Sequence, residues 1–321
     1  SRLADSYVEM GALPSFTCAP YLLDDPPAEG ESVGWSESNA VIFANSVIGA
    51  RTLKIPDYLD LFVAMTGRAP CYGTYSDRGG RARRIVEMAE IPPDVDDGFW
   101  PLLGWVLGTL SPDRIPRLCG LEKMSIGTDA MKALCASFGS TSGAPMLHVA
   151  GHTPEAEMMP APDADQCRID QRMLADAWKQ LNSGGEHIDL VAIGSPHVSL
   201  AELCRMDSLF DGRPCHEDVD VIVTVGRDVL ARARQDGVAD RLEASGVTFY
   251  SDLCWCSITP PLFPANTRVL MTNSGKYAHY ATGLSGCHVR LGGIAACVEA
   301  AVSGFARKAL PRWLQPVGSA D

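Results

Sequence analysis

The sequence predicts an α/β protein made of parallel-sheet domains with crossover helices, arranged as at least two lobes around a central cleft. Three observations lead there. The chain has 321 residues, too many for one minimal core. Its residues are 46% hydrophobic and 21% charged, a globular composition. Residues 186–280 alternate strand-like and helix-like runs, the signature of a parallel sheet.

In chain order, "NAVIFANSVIGART" mixes small and apolar residues and opens a helix. "PDYLDLFVAMTGRAP" is a helix stopped by Gly67 and Pro70, and "DVDDGFWPLLGWVLGTL" a second, mostly buried one. "GAPMLHVAG" is a short strand, and the proline-rich "MMPAPDADQC" connects the lobes. Then "HIDLVAIGSPH", "DVDVIVTVGRDVL", "VTFYSDLC" and "TRVLMTNSGK" read as strands. "SLAELCRMDSLF" and "ARARQDGVADRLEASG" are helices between them, and "IAACVEAAVSGFARKAL" is a closing helix. The division expected is a first lobe over 1–165, completed by 281–321, and a parallel α/β lobe over 166–280.

The net charge of -12 and pI near 5.0 argue against nucleic-acid binding. No run of 18 apolar residues suggests a membrane span. The opening "SRLADSYVEMGALPS" lacks the layout of a secretory signal. Eleven cysteines, an odd number, fit free thiols and a reducing cytoplasm.

No Cys-x-x-Cys, His-Glu-x-x-His, phosphate-loop or Gly-x-Ser-x-Gly motif occurs, so any metal site must be assembled from distant segments. In parallel sheets, ligands bind beyond the carboxyl ends of the strands. Those ends carry Ser195 and His197, Arg227, Cys254, and then Asn273, Ser274 and Lys276. Cys18, Cys254 and Cys297 all sit where loops meet elements, although the bland reading of each is a buried filler. Cys256 shares Cys254's face if the strand continues, and is an alternative ligand. "TNSGKYAHY" offers Asn273, Ser274, Lys276 and His279 from a glycine-containing loop, which suits a carboxylate or phosphate, or is a solvated turn. "HVAGHTPEAE" places His148, His152 and Glu155 together, with helix capping by Thr153 as the structural alternative. "SNAVIFANSVIGART" supplies Asn39, Asn45, Ser46 and Arg51, with capping by Ser38 or Asn45 as its alternative.

Taken together, "PSFTCAPY", "SNAVIFANSVIGART", "DYLDLFVAMTGRAP", "HTPEA", "IGSPH", "SDLCW", "TNSGKYAHY" and "CVEAAVSG" resemble, in order, the large catalytic region of the aconitase X family. The resemblance implies an iron-sulfur hydro-lyase whose large part is similar to the first three domains of aconitase. A small swivelling domain, fused or as a second subunit, completes the site. Bacterial members resembling this chain dehydrate cis-3-hydroxy-L-proline to delta-1-pyrroline-2-carboxylate, and archaeal members dehydrate mevalonate 5-phosphate. By motif, the ligands of a two-iron or four-iron cluster fall on Cys18, Cys254 and Cys297, and Cys256 has no counterpart. The resemblance further suggests a small hydroxy acid held by Lys276, Ser274, Asn273 and Arg51, with Ser46, Ser195 and His197 beside them. The base lies on the swivelling domain, His279 and Glu155 being the internal candidates. Segments that precede "PSFTCAPY" in the family are absent, so the chain is expected to be part of a longer enzyme. A phosphorylated hydroxy acid held by Arg227, Arg290 and Lys276 is the second reading. A non-catalytic iron-sulfur sensor module is the third.

Overall fold

Two parallel sheets form the frame of the computed structural model, which describes residues 2–56, 58–76 and 78–315. The first sheet is built from β1 (Arg84–Met88), β2 (Pro116–Cys119), β3 (His148–Val149) and β4 (Asp165–Ile169), in the order β3-β2-β1-β4. All three pairings are parallel. Only one of its strands, in "GAPMLHVAG", was expected, and β4 extends past the expected lobe boundary at 165. Its strands are short, and Arg84 and Glu87 interrupt the apolar run of β1, so the period of two is hard to read.

Helix Phe99–Leu110 joins β1 to β2 and is buried from Phe99 to Gly108, as its near-continuous apolar sequence predicts. It packs against helix Thr128–Thr141 at very short range. A Cβ on Gly104 would stand 2.2 Å from the Leu134 carbonyl oxygen, and one on Gly108 2.7 Å from that of Phe138. Helix Leu59–Thr66 ends at Gly67, which takes φ +63°. Helix Ser38–Phe43 continues into a wider π-type turn, Ala44–Ile48, and lies against Thr128–Thr141.

The second sheet holds β5 (Leu190–Val198), β6 (Asp220–Val225), β7 (Val247–Ser251), β8 (Val269–Thr272) and β9 (His288–Leu291), in the order β7-β6-β5-β8-β9. Every pairing is parallel. Central β5 is buried along its whole length, which explains the apolar run Leu190–Ile193 at its start. The chain runs outward from β5 to β7, then crosses back to β8. The switch point is therefore at the carboxyl end of β5.

One face of this sheet packs residues of helices Leu200–Phe210, Arg227–Gln235, Val238–Ala244 and Ile294–Ser303 against Val191, Ile193 and Val223. The other face puts Leu190, Ala192 and Leu270 into one core with helices Gly275–Ser285 and Thr128–Thr141. Three expectations are corrected here. The closing helix ends at Gly304, and its residues Ile294, Val298 and Ala301 complete the second sheet's core instead of the first lobe. "TNSGKYAHY" is largely helix, since Ser274 accepts a hydrogen bond from the Tyr277 amide and starts the helix Gly275–Ser285. "SGCHVRLGG", to which no strand was assigned, contains β9.

The two lobes are joined by a buried ion pair. Lys132, on Thr128–Thr141, is 3% exposed, and its Nζ contacts Glu202 and stands 3.3 Å from Asp129. It also donates to the His197 carbonyl at 3.3 Å. Burial opposes its charge, but Glu202 and Asp129 outweigh burial and keep it an ammonium. Glu202 forms a capping box with Ser199 at the start of Leu200–Phe210.

Two stability measurements check this packing. Replacing Lys132 with Met should destabilise the fold by about 3–5 kcal/mol, because Glu202 is left buried without a counter-charge. Urea unfolding should show most of that loss recovered in Lys132→Met/Glu202→Leu. Gly104→Ala should cost roughly 1–3 kcal/mol by forcing two helix backbones apart. An unchanged urea midpoint would refute the close approach.

Candidate active site

Cys18 and Cys254 meet at the carboxyl end of the second sheet. Their side chains lie within hydrogen-bonding reach of each other, and Cys256 lies within reach of Cys254. Each cysteine loop is anchored separately. Asn39 donates to the Cys18 carbonyl at 2.9 Å and accepts from the Tyr21 hydroxyl at 2.9 Å. Cys254 follows Asp252, whose φ of +65° turns the chain sharply out of β7. Arg227 holds Asp252 through two 2.7 Å bonds and lies 5.5 Å from the centre of the Phe16 ring, so it touches both loops. Trp255 is buried and donates to the Ile193 carbonyl at 2.8 Å, pinning the turn after Cys254 onto β5.

The electrostatics single out Cys254. Hydrogen bonds from Cys18 and then Cys256, together with the nearby Lys276 charge, pull its thiol far below the ordinary range, against the effect of burial. The Cys18 thiol is pushed up by its bond to Cys254 and by burial. Cys254 is thus the sulfur of the three that ionises most readily.

Lys276 is 6% exposed and its Nζ stands 2.6 Å from Glu37. Burial opposes its charge, but Glu37 and Cys254 hold it as an ammonium. Glu37 also accepts from Asn39 Nδ2 at 2.8 Å. Lys54, which the sequence reading did not consider, is influenced by both Glu37 and Lys276. It donates to the Ser142 carbonyl at 2.8 Å, and burial lowers its pKa to about 8. Its setting in "TLKIP", a lysine among apolar residues, was the available signal.

The remaining candidates are dispersed. Cys297 is fully buried in the core on the opposite face of the sheet, with its Sγ 3.9 Å from the Gly292 carbonyl oxygen. Burial first, and Asp97 second, keep it protonated. Its bond to Gly292 and its electrostatic partner Asp97 include none of the other three cysteines, whereas Cys256 lies within reach of Cys254. Ser274 spends its hydroxyl on the Ser195 carbonyl and the Tyr277 amide. The ring of His279 accepts from the Trp105 indole at 3.2 Å and packs against Tyr280, away from the thiols. Arg51 is ion-paired with Glu155. Ser46 accepts from the Leu147 amide at 2.9 Å. His197 makes hydrogen bonds to both cysteine loops. Asn273 lines a cavity of about 440 Å³ with Asp129, Glu202 and Arg205. Ser195 is buried, and its Oγ has no hydrogen-bond partner among the described residues.

Comparisons with known proteins identify the family. Models of the aconitase X first, second and third domains match residues 1–78, 82–179 and 188–303. A cis-3-hydroxy-L-proline dehydratase of Pseudomonas aeruginosa is 46% identical over 98% of this chain and 55% of its own length. One of Hypocrea jecorina is 42% identical over 98% of this chain and 54% of its own. The chain thus spans about half the length of these two relatives. The phosphomevalonate dehydratase large subunit of Methanothermobacter thermautotrophicus is 31% identical, over 89% of this chain and 69% of its own. The crystal structure of Thermococcus kodakaraensis aconitase X in its holo-form superposes with a TM-score of 0.84 at 28% identity, covering 93% of this chain and 75% of that one. With its three domains matched in order and its sheets superposed on that structure, the chain belongs to the aconitase X family.

Proposed function

We propose that the chain is the large catalytic part of an iron-sulfur hydro-lyase that dehydrates cis-3-hydroxy-L-proline to delta-1-pyrroline-2-carboxylate. One observation carries this reading. Three cysteines from two distant segments, with a buried lysine beside them, meet at the switch point of a parallel sheet. The similarity to two dehydratases of that substrate supports it.

The donor set fits an iron-sulfur cluster. Among the described residues, no group of three His, Cys, Asp or Glu side chains is arranged to hold a metal ion. Cysteine sulfurs are the donor chemistry of an iron-sulfur cluster, so the fit rests on residue type and on the contacts of Cys18 and Cys256 with Cys254. Cys18, Cys254 and Cys256 would hold it, whether two-iron or four-iron. When bound, it supplies an iron without a protein ligand, a Lewis acid for a leaving hydroxyl.

The chain's own residues do the rest. Lys276 places a fixed positive charge beside the sulfurs, in a protein whose net charge of -12 repels anions. The substrate carboxylate is received by Asn273, the Ser195 hydroxyl and the amides at the start of Gly275–Ser285. Arg51, Ser46 and Ser274 support the walls through the bonds described above. His279 accepts from Trp105 through Nδ1 and Glu155 pairs with Arg51, which gives each a role in the fold. The base comes from the small swivelling domain, fused or separate, for which the exposed Phe62, Met65 and Tyr72 are landing points. Lys54 adjusts the charge of the pocket in the alkaline range. Cytoplasm is the compartment that suits eleven free cysteines, and no helix among the described residues is long and apolar enough to cross a membrane. A phosphorylated substrate is less well served: Asp252 occupies Arg227, while Asn182 and the Gly185 and Arg307 carbonyls occupy Arg290.

Two experiments test this reading. In chain prepared without iron and sulfide, iodoacetamide should label Cys254 already at about pH 6, below the ordinary thiol pKa near 8.5. The sign follows from the lowered pKa: the thiolate persists as pH falls and is lost only below its folded value. Lys276→Met should move the onset upward, and an ordinary onset in the wild type would remove the thiolate assignment. In the full-length enzyme, Cys18→Ser, Cys254→Ser and Cys256→Ser should lose bound iron and sulfide and abolish consumption of cis-3-hydroxy-L-proline. Cys297→Ser should retain both. Loss in Cys297→Ser with retention in Cys256→Ser would overturn the ligand set. A cluster-loaded full-length enzyme that does not turn over this substrate would favour the sensor reading.

A further inference from the structure

We infer that His197 is a positioning residue, whose imidazole fixes the distance between the loop of Cys18 and the loop of Cys254. Its ring bridges the residues that immediately precede those two cysteines. Nε2 lies 2.8 Å from the Leu253 carbonyl oxygen, and Nδ1 lies 3.1 Å from Thr17 Oγ1. A carbonyl only accepts, so Nε2 carries the proton and donates to Leu253. Nδ1 then accepts from the Thr17 hydroxyl. That hydroxyl is itself oriented, because its oxygen accepts from the Ala19 amide at 3.0 Å. The His197 backbone adds a third tie, its amide donating to Cys18 Sγ at 3.3 Å. Its carbonyl accepts from Lys132, so the clamp is braced from the first lobe as well.

The ring is 1% exposed, and both nitrogens are used within the protein, so it has no free nitrogen for a substrate. The two loops belong to different segments and meet at their sulfurs. A shift of either by a fraction of a hydrogen-bond length alters the sulfur spacing directly. Cys256 is on the same turn as Cys254 and moves with it. The bridge therefore controls the Cys18–Cys254 spacing and leaves the Cys254–Cys256 spacing alone. This asymmetry separates positioning from general stabilisation.

The inference rests on the proposed cofactor reading only for its consequence, so the test reads the sulfurs directly. The full chain, prepared without iron and sulfide, is treated with dibromobimane, which bridges neighbouring thiols. Peptide masses then give the ratio of Cys18–Cys254 to Cys254–Cys256 bridges. In His197→Ala that ratio should fall roughly tenfold, as expected for two lost buried hydrogen bonds. His197→Gln, which retains a donor for Leu253, should recover part of it. Thr17→Val, which removes one arm and leaves the histidine, should lower the ratio to an intermediate value, and it decides the matter should His197→Ala fail to fold. An unchanged ratio in folded His197→Ala, or in Thr17→Val, overturns the inference. Failure of the wild-type chain to take up iron and sulfide would count against the cofactor reading alone and leave the bridge to be judged on the ratio.

Discussion

The structure depends on the bulged carboxyl end of β5. The register of β5 against β6 slips between Ile193 and Val198. The slip is possible because Gly194 takes φ +105°, and a Cβ there would stand 2.2 Å from the Thr224 carbonyl oxygen. Thr224 fixes the turn by donating to the Gly194 carbonyl at 2.6 Å. The next residues are then freed from the ladder for other partners. Ile193 receives Trp255, Ser195 receives Ser274, and His197 receives Lys132. Four segments of sequence are thus registered to one irregular stretch, and the thiol group is built on top of it.

Charge placement follows from burial. Lys276 and Glu37 form one compensated pair at the site, and Lys132 and Glu202 form another beneath it. Such pairs are poor sources of stability, because desolvation cancels much of their attraction. Their value here is positional. Each joins the second-sheet lobe to residues that precede it in the chain, so the lobes cannot slide without exposing an unpaired charge. Lys276 also leaves Cys254 as the one sulfur in the group that gives up its proton readily.

Much of this was legible in the sequence and some was not, for identifiable reasons. The βαβ pattern of the second sheet was clear because β5 and β6 are continuous apolar runs bounded by glycine. The first sheet was not, since β3 has two residues and β1 carries charges. Cys18, Cys254 and Lys276 were anticipated from strand ends and motif resemblance, and the structure brings them together. Cys297 was chosen by motif and is buried on the helix Ile294–Ser303 in the second sheet's core; periodicity does not reveal which face a helix takes. Ser274 and His279 looked chemical because a short glycine-containing stretch reads equally as a loop or as a helix start. Glu37 and Lys54 were missed because their roles depend on neighbours far away in the chain.

The separation of the two cysteine segments has a consequence for biosynthesis. Cys254 is made 236 residues after Cys18. At 5–20 residues per second the first thiol waits on the order of ten seconds or more for its neighbours. During that wait the bulge at the end of β5, which holds both loops, does not yet exist. Assembly of the thiol group must be a late event, following closure of the second sheet. Each partly made chain carries solitary thiols that nothing yet protects from oxidation.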